Sequence, residues 1–192
     1  IVLEINRIYN KFSIFILIIL IIFLTSLFLS NGNNEKKAPL LSGDMNKFIF
    51  SKDKISHDIY WFDLKGNKFS LKQLKGNVIL MNFWASWCIP CVKELPSINE
   101  LSHNFSNRNF RPIVINIDKR NKTKAIRLFD SLGLNKLNFV YDRDNFIANK
   151  LKIDVVPTTI IFNKKGEELG RLYGEANWSS TEVKFFLEYF ME

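Results

Sequence analysis

Apolar residues are spaced along this chain in two rhythms, and the rhythms divide it into elements. Val78-Ile79-Leu80-Met81-Asn82-Phe83-Trp84 is a short, almost unbroken apolar run, the pattern of a strand buried on both faces. Pro112 to Asp118 reads as a second such strand and Asn138 to Tyr141 as a shorter one. Thr158 to Phe162 and Glu168 to Tyr173 flank Asn163-Lys164-Lys165-Gly166, which predicts a hairpin. Ile59 to Asp63 and Lys68-Phe69 around Leu64-Lys65-Gly66-Asn67 predict another, followed by a single turn at Leu71 to Leu74 capped by Ser70. Between these strands the period changes to three or four. Leu95, Ile98, Leu101 and Phe105 mark a helix from the cysteines to about Asn107, with Pro96 inside it. Ala125, Ile126, Phe129 and Leu132 mark a second over Thr123 to Leu132, stopped by Gly133. A short helix is expected over Asn145 to Leu151. Ser179-Ser180-Thr181-Glu182 has the form of a capping box opening a last helix that ends near Phe190. Strands alternating with helices give an α/β domain with a central sheet.

The first fifty residues follow another pattern. Phe12 to Leu29 carries no charge and is long enough to cross the hydrocarbon core as a helix. The expectation is an uncleaved transmembrane anchor over residues 12–30, with residues 1–11 as a short N-terminal segment. The alternative is a cleaved signal peptide. The stretch is longer than an ordinary signal core, and Ser30-Asn31-Gly32-Asn33 offers no small-x-small cleavage site. Residues 31–47 are polar, bear Gly and Pro, and read as a flexible linker spanning on the order of 20 Å. Residues 48–192 form the soluble domain. Arg7 and Lys11 favour a cytoplasmic N-terminus, although Lys36 and Lys37 blur the asymmetry.

Charge changes the picture little. The formal net charge is +8, but the basic residues are scattered and build no block for nucleic acid. The cysteines change it most. The chain has two, and they stand in Trp87-Cys88-Ile89-Pro90-Cys91, after a strand and at the opening of a helix. Residues three apart on a helix are about one turn apart, so the sulfurs can bridge with little backbone movement. Cys88 falls at the N-cap and Pro90 in the first turn, where a missing N–H costs nothing. The positive end of the helix dipole favours a Cys88 thiolate, the attacking species in disulfide exchange, and Cys91 can resolve the mixed disulfide. A zinc site is the competing reading, but it needs two more ligands, and His57 and His103 lie far apart in sequence. A purely structural disulfide over so small a loop would constrain the unfolded chain little. A redox pair without other thiols suits an oxidising compartment, which puts the domain outside the cytoplasmic membrane.

The element order and motifs resemble the thioredoxin superfamily, and more narrowly the membrane-anchored TlpA/ResA-type thiol–disulfide oxidoreductases. The resembling residues are Asp63-Leu64-x-Gly66, Leu71-x-x-Leu74-x-Gly76, the run from Asn82 to Pro96 through Trp87-Cys88-Ile89-Pro90-Cys91, Val155-Val156-Pro157-Thr158-Thr159 and Gly174-Glu175-Ala176-Asn177-Trp178. The resemblance implies a thioredoxin fold, a central mixed sheet flanked by helices, with an N-terminal strand extension and a helix–strand insert between Asp118 and Pro157. It implies a cis bond before Pro157, facing the dithiol, with Trp87, Pro90, Val156 and Pro157 meeting substrate. From the residues alone Val156-Pro157 is equally an ordinary trans bond, and Trp84 and Trp87 equally packing. Plain thioredoxins carry an aspartate at the position of Asn82, which cannot titrate. The resemblance assigns the acid/base task to Glu94, one turn beyond Cys91; the bland alternative is a solvated glutamate beside Lys93. Trp178 reads as structural, and His57 and His103 as surface or satisfied side chains.

The function implied is a tethered reductant of protein disulfides, with no cofactor beyond the Cys88/Cys91 pair. The resemblance implies apocytochrome c or copper-site assembly proteins as clients and a membrane thiol-reductant as electron donor. Three alternatives stay open at this point. The same fold can act as an oxidant. A peroxidase would need a Pro-x-x-x-Thr-x-x-Cys site, which the chain lacks. A Cu(I) module would use the same thiolates, although Met45, Met81 and Met191 form no cluster.

Overall fold

The structure, a computed structural model, describes residues 14–26, 39 and 41–192. The chain divides into residues 1–38 and a compact unit, Pro39–Glu192. In the first, residues 14–26 are helical. Among the described residues no helix is long and apolar enough to cross a membrane. The span expected over 12–30 extends beyond the described residues at both ends, and the expected N-terminal segment and most of the linker also lie outside them.

The second unit is built on a six-stranded mixed sheet in the order β1-β8-β7-β4-β5-β6. Its strands are β1 (Phe48–Phe50), β4 (Val78–Trp84), β5 (Phe110–Asn116), β6 (Asn138–Tyr141), β7 (Thr158–Phe162) and β8 (Glu168–Tyr173). A separate hairpin pairs β2 (Tyr60–Phe62) with β3 (Lys68–Ser70). β4 runs parallel to β5 and antiparallel to β7. The helices are α1 (Ile89–Asn104), α2 (Lys122–Ser131), α3 (Phe146–Lys150) and α4 (Thr181–Met191).

β4 explains the layering. All seven of its residues are buried, and they alternate between two cores. Val78, Leu80 and Trp84 pack with Leu95, Ile98 and Leu101 of α1, Phe129 of α2 and Phe186 of α4. Ile79, Met81 and Phe83 pack with Ile59, Trp61 and Leu71 from the hairpin region and Ile147 of α3. A period of two therefore puts Asn82 on the α1 face. That placement decides what it meets.

The expected strands β4, β6, β7 and β8 keep their expected bounds. β5 starts and ends two residues earlier than the expected Pro112 to Asp118, because its pairing with β4 runs from Phe110↔Val78 to Asn116↔Trp84. Pro112 is tolerated within it, ahead of the stretch that pairs with β6 from Ile113↔Asn138. α1 ends at Asn104 rather than about Asn107, and a 3-10 turn at Arg143–Asn145 precedes α3. At the other end the domain begins earlier than the expected residue 48. Gly43–Lys47 is a 3-10 turn whose Met45 is buried in the main core, so the tail of the expected linker belongs to the folded unit. A buried methionine in a polar stretch is what anchors it.

Candidate active site

The two cysteines sit where β4 gives way to α1. After Trp84 the chain turns through Ala85 to Trp87, and Cys88 is the N-cap of α1 with extended dihedrals. Pro90 occupies the first turn of α1 and is exposed. Cys88 and Cys91 form a disulfide with their Cα atoms 5.3 Å apart. The Cys91 backbone N–H points at the Cys88 Sγ, 3.3 Å away. An amide donor and the helix dipole both favour negative charge on that sulfur once the bond opens. Cys91 is fully buried and Cys88 only 5% exposed, whereas Trp87 and Ile89 beside them are 67% and 75% exposed. The reachable sulfur is thus Cys88, framed by two exposed apolar side chains. Trp84, by contrast, is core.

The turn itself is fastened by a residue that sequence reasoning missed. The Ser86 N–H donates to both carboxylate oxygens of buried Asp118, at 3.1 and 3.2 Å. Asp118 is held in turn by Asn116 Oδ1, which accepts its backbone N–H at 3.2 Å, while its carbonyl accepts from Tyr141 Oη at 2.7 Å. The available signal was a lone acid at the end of a strand, adjacent in a parallel sheet to the strand that carries the cysteines.

Glu94 lies one turn beyond Cys91 and is 3% exposed. The solvated reading of it is thereby excluded. Three donors converge on its carboxyl. Asn82 Nδ2 donates to Oε1 at 2.7 Å, and Oε2 accepts from the Ala176 N–H and from Trp178 Nε1, each at 3.0 Å. Asn82 Nδ2 also reaches Thr159 Oγ1 at 2.9 Å, across the Asn82↔Thr159 register of β4 and β7. Burial pushes the Glu94 carboxyl from its ordinary 4.5 up to about 7, against the pull of the Trp178, Asn82 and Ala176 donors. Neighbouring Glu175 adds a small push in the same direction. A carboxyl poised there can take and return a proton near neutral pH. Trp178, expected to be structural only, supplies one of those donors. Its 84-residue separation from Glu94 hid the contact.

The bond between Val156 and Pro157 is cis. Continuing the Phe83↔Thr158 register one step sets Pro157 level with Trp84, beside the turn that leads to Cys88. Pro157 is buried and Val156 half-buried, and Val155 before them is 54% exposed. The Pro157 carbonyl accepts the Gly174 N–H at 2.8 Å, tying this strand end to the loop that reaches Glu94. His57 is a satisfied histidine, its Nε2 2.8 Å from Glu168 Oε2, and His103 is exposed. Among the described residues no group of three or more His, Cys, Asp or Glu is placed to hold a metal ion.

The model of the AhpC/TSA family matches residues 51–167, more than half of the chain and all of the dithiol region. The chain belongs to the AhpC/TSA family. The chain is similar to the thiol-disulfide oxidoreductase ResA of Bacillus thuringiensis, 32% identical over 114 residues, which are 59% of this chain and 64% of that protein. The match thus spans less than two thirds of that relative's length. Among solved structures, the thioredoxin domain of a thiol-disulfide oxidoreductase of Bacteroides vulgatus superposes with a TM-score of 0.61 at 22% identity, covering 72% of this chain and 96% of that one. StoA of Bacillus subtilis gives 0.54 at 22% identity, over 71% and 98%. Both share the thioredoxin-like fold.

Proposed function

We propose that the protein is a thiol:disulfide oxidoreductase that reduces disulfides of protein clients, held at the cytoplasmic membrane by residues 12–30 with its domain on the outer side. The observation that carries the chemistry is the Cys88–Cys91 pair at the start of α1 with the buried Glu94 carboxyl one turn further on. The uncharged run from Phe12 to Leu29 supports the anchor. The name that the ResA relative carries supports the activity.

In the reducing direction the dithiol form is the reagent. The Cys88 thiolate attacks one sulfur of a client disulfide; that S–S bond breaks, one client thiolate leaves, and a Cys88–client mixed disulfide remains. Cys91 then loses its proton to Glu94, and its thiolate attacks the Cys88 Sγ. This forms the intramolecular disulfide and releases the second client thiolate, so two electrons have passed to the client. Exposed Trp87, Pro90, Ile89 and Val155 are the surface a client meets, with half-buried Val156 and buried Pro157 holding Val155 beside them. A membrane thiol reductant must return two electrons to restore the dithiol. Clients of the kind handled in cytochrome c maturation or copper-site assembly fit a reductant working in an oxidising compartment.

Cys91→Ser tests the reading. Without the resolving thiol, the mixed disulfide should persist on Cys88 and be recovered from cells as a reductant-sensitive adduct. Loss of the adduct in Cys88→Ser/Cys91→Ser is the matching control. If the single variant forms no adduct in cells, the exchange mechanism is wrong.

A further inference from the structure

The carboxyl at the heart of the site is closed off by a loop, and the loop is fastened from an unexpected direction. Ala176 and Trp178 donate to Glu94 from the segment Glu175–Trp178. The same segment is held to α1 by Ser97, whose hydroxyl donates to the Glu94 carbonyl at 2.7 Å and accepts the Trp178 backbone N–H at 3.0 Å. Its outer edge is held by the N-terminal 3-10 turn. Asp44 Oδ2 accepts the Asn177 N–H at 2.7 Å, and Lys47 Nζ donates to the Glu175 carbonyl at 3.1 Å. Lys47 and Asp44 are themselves paired at 3.0 Å. Met45, between them in sequence, is fully buried and roots the turn in the core.

These contacts bound a surface pocket of about 380 Å³ with Glu94 in its lining and Asp44, Lys47, Lys93 and Glu175 around it. From the strand side the carboxyl meets the uncharged Asn82. The pocket is the route by which water would reach Glu94 if the loop lifted. Asp44, Lys47 and the whole Glu175–Trp178 segment lie outside the stretch that the family model matches.

We propose that Asp44 and Lys47 are positioning residues of the acid–base machinery, holding the Glu175–Trp178 loop closed over the Glu94 carboxyl. They act across more than 40 residues of sequence to Glu94, through backbone bonds to a loop 128 and 133 residues away from them. The proposal rests on Glu94 serving the dithiol as proton acceptor, and its test is separable from that role. Burial is the largest influence on Glu94 and raises its pKa. Loosening the loop admits water, which relieves that influence and supplies replacement donors for the lost N–H bonds, so the carboxyl becomes more acidic.

The experiment follows the Glu94 side-chain carboxyl by carbon-13 NMR across pH in the 192-residue chain, its signal assigned by its loss in Glu94→Gln. Asp44→Ala and, as a milder surface change, Lys47→Met should each lower the titration midpoint by half a unit or more while the protein still melts cooperatively. Asp44→Asn keeps an acceptor for the Asn177 N–H and should restore most of the midpoint. An unchanged or raised midpoint in both Asp44→Ala and Lys47→Met overturns the proposal. Failure of the acid–base reading looks different: the resolving step would keep its pH profile in Glu94→Gln, whatever the N-terminal variants do to the carboxyl.

Discussion

At Glu94 burial and hydrogen bonding pull in opposite directions, and burial wins. The consequence for stability has a definite sign. A carboxyl at about 7 in the folded chain and near its ordinary 4.5 when unfolded binds more protons folded than unfolded between those values. Its contribution is fully present below pH 4.5 and is lost as pH rises to about 7, by an amount of about 3 kcal/mol as an upper figure. Denaturant unfolding at pH 5 and pH 8 should therefore show the wild type losing stability over that interval and Glu94→Gln losing about 2 kcal/mol less. Parallel losses in the two proteins would contradict the raised pKa. Asn82 completes the residue-scale picture. Its Oδ1 has no partner among the described residues, while its Nδ2 serves both Glu94 and Thr159. A half-turn of that amide exchanges donor for acceptor, so Asn82 has an orientation for the carboxylate and another for the protonated acid. An aspartate in its place would set two carboxyls against each other at hydrogen-bond distance.

At the scale of elements, legibility followed locality. β4, the β7–β8 hairpin and the start of α1 were readable because each announces itself within a few residues: an apolar run, Asn163 to Gly166, and two cysteines with a proline between them. Spacing put Glu94 one turn beyond Cys91, and its acid/base task was legible only through the family resemblance. β1 and the Gly43–Lys47 turn were not, because a three-residue strand is made by its partner, and β8 lies 120 residues downstream. Trp178, Ala176 and Asp118 escaped for the same reason, since their contacts depend on the tertiary fold rather than on a pattern in their own segments. The β1–β8 seam also yields a prediction. Phe50 pairs with Gly170, and a methyl on Gly170 would lie 2.3 Å from the Ile49 carbonyl and 2.8 Å from the Phe48 ring. Gly170→Ala should destabilise the domain by about 1–3 kcal/mol through displacement of β1, measured by denaturant unfolding. A neutral result would mean the edge strand yields without cost. Nearby, buried Glu168 gathers Arg171, His57 and Ser51, tying residues before the first hairpin to β8.

For the molecule as a whole, three features stand in one chain: a family match over residues 51–167, a dithiol at the end of the sheet's central strand, and an uncharged apolar run from Phe12 to Leu29. The sheet's main strands and the cysteines are legible in the sequence, because each is written in contiguous residues. The loop that closes over Glu94 is not, because it is assembled from the two ends of the folded unit. The direction of electron flow is set by the stability of the Cys88–Cys91 disulfide relative to the dithiol, and it is measurable on the purified protein. Equilibration in thiol–disulfide buffers of graded potential, with the thiols then trapped and counted, gives that quantity directly. A reductant requires a two-electron transition with its midpoint in the thioredoxin range, ~−270 mV. A midpoint near ~−120 mV would make the protein an oxidant and contradict the proposed function.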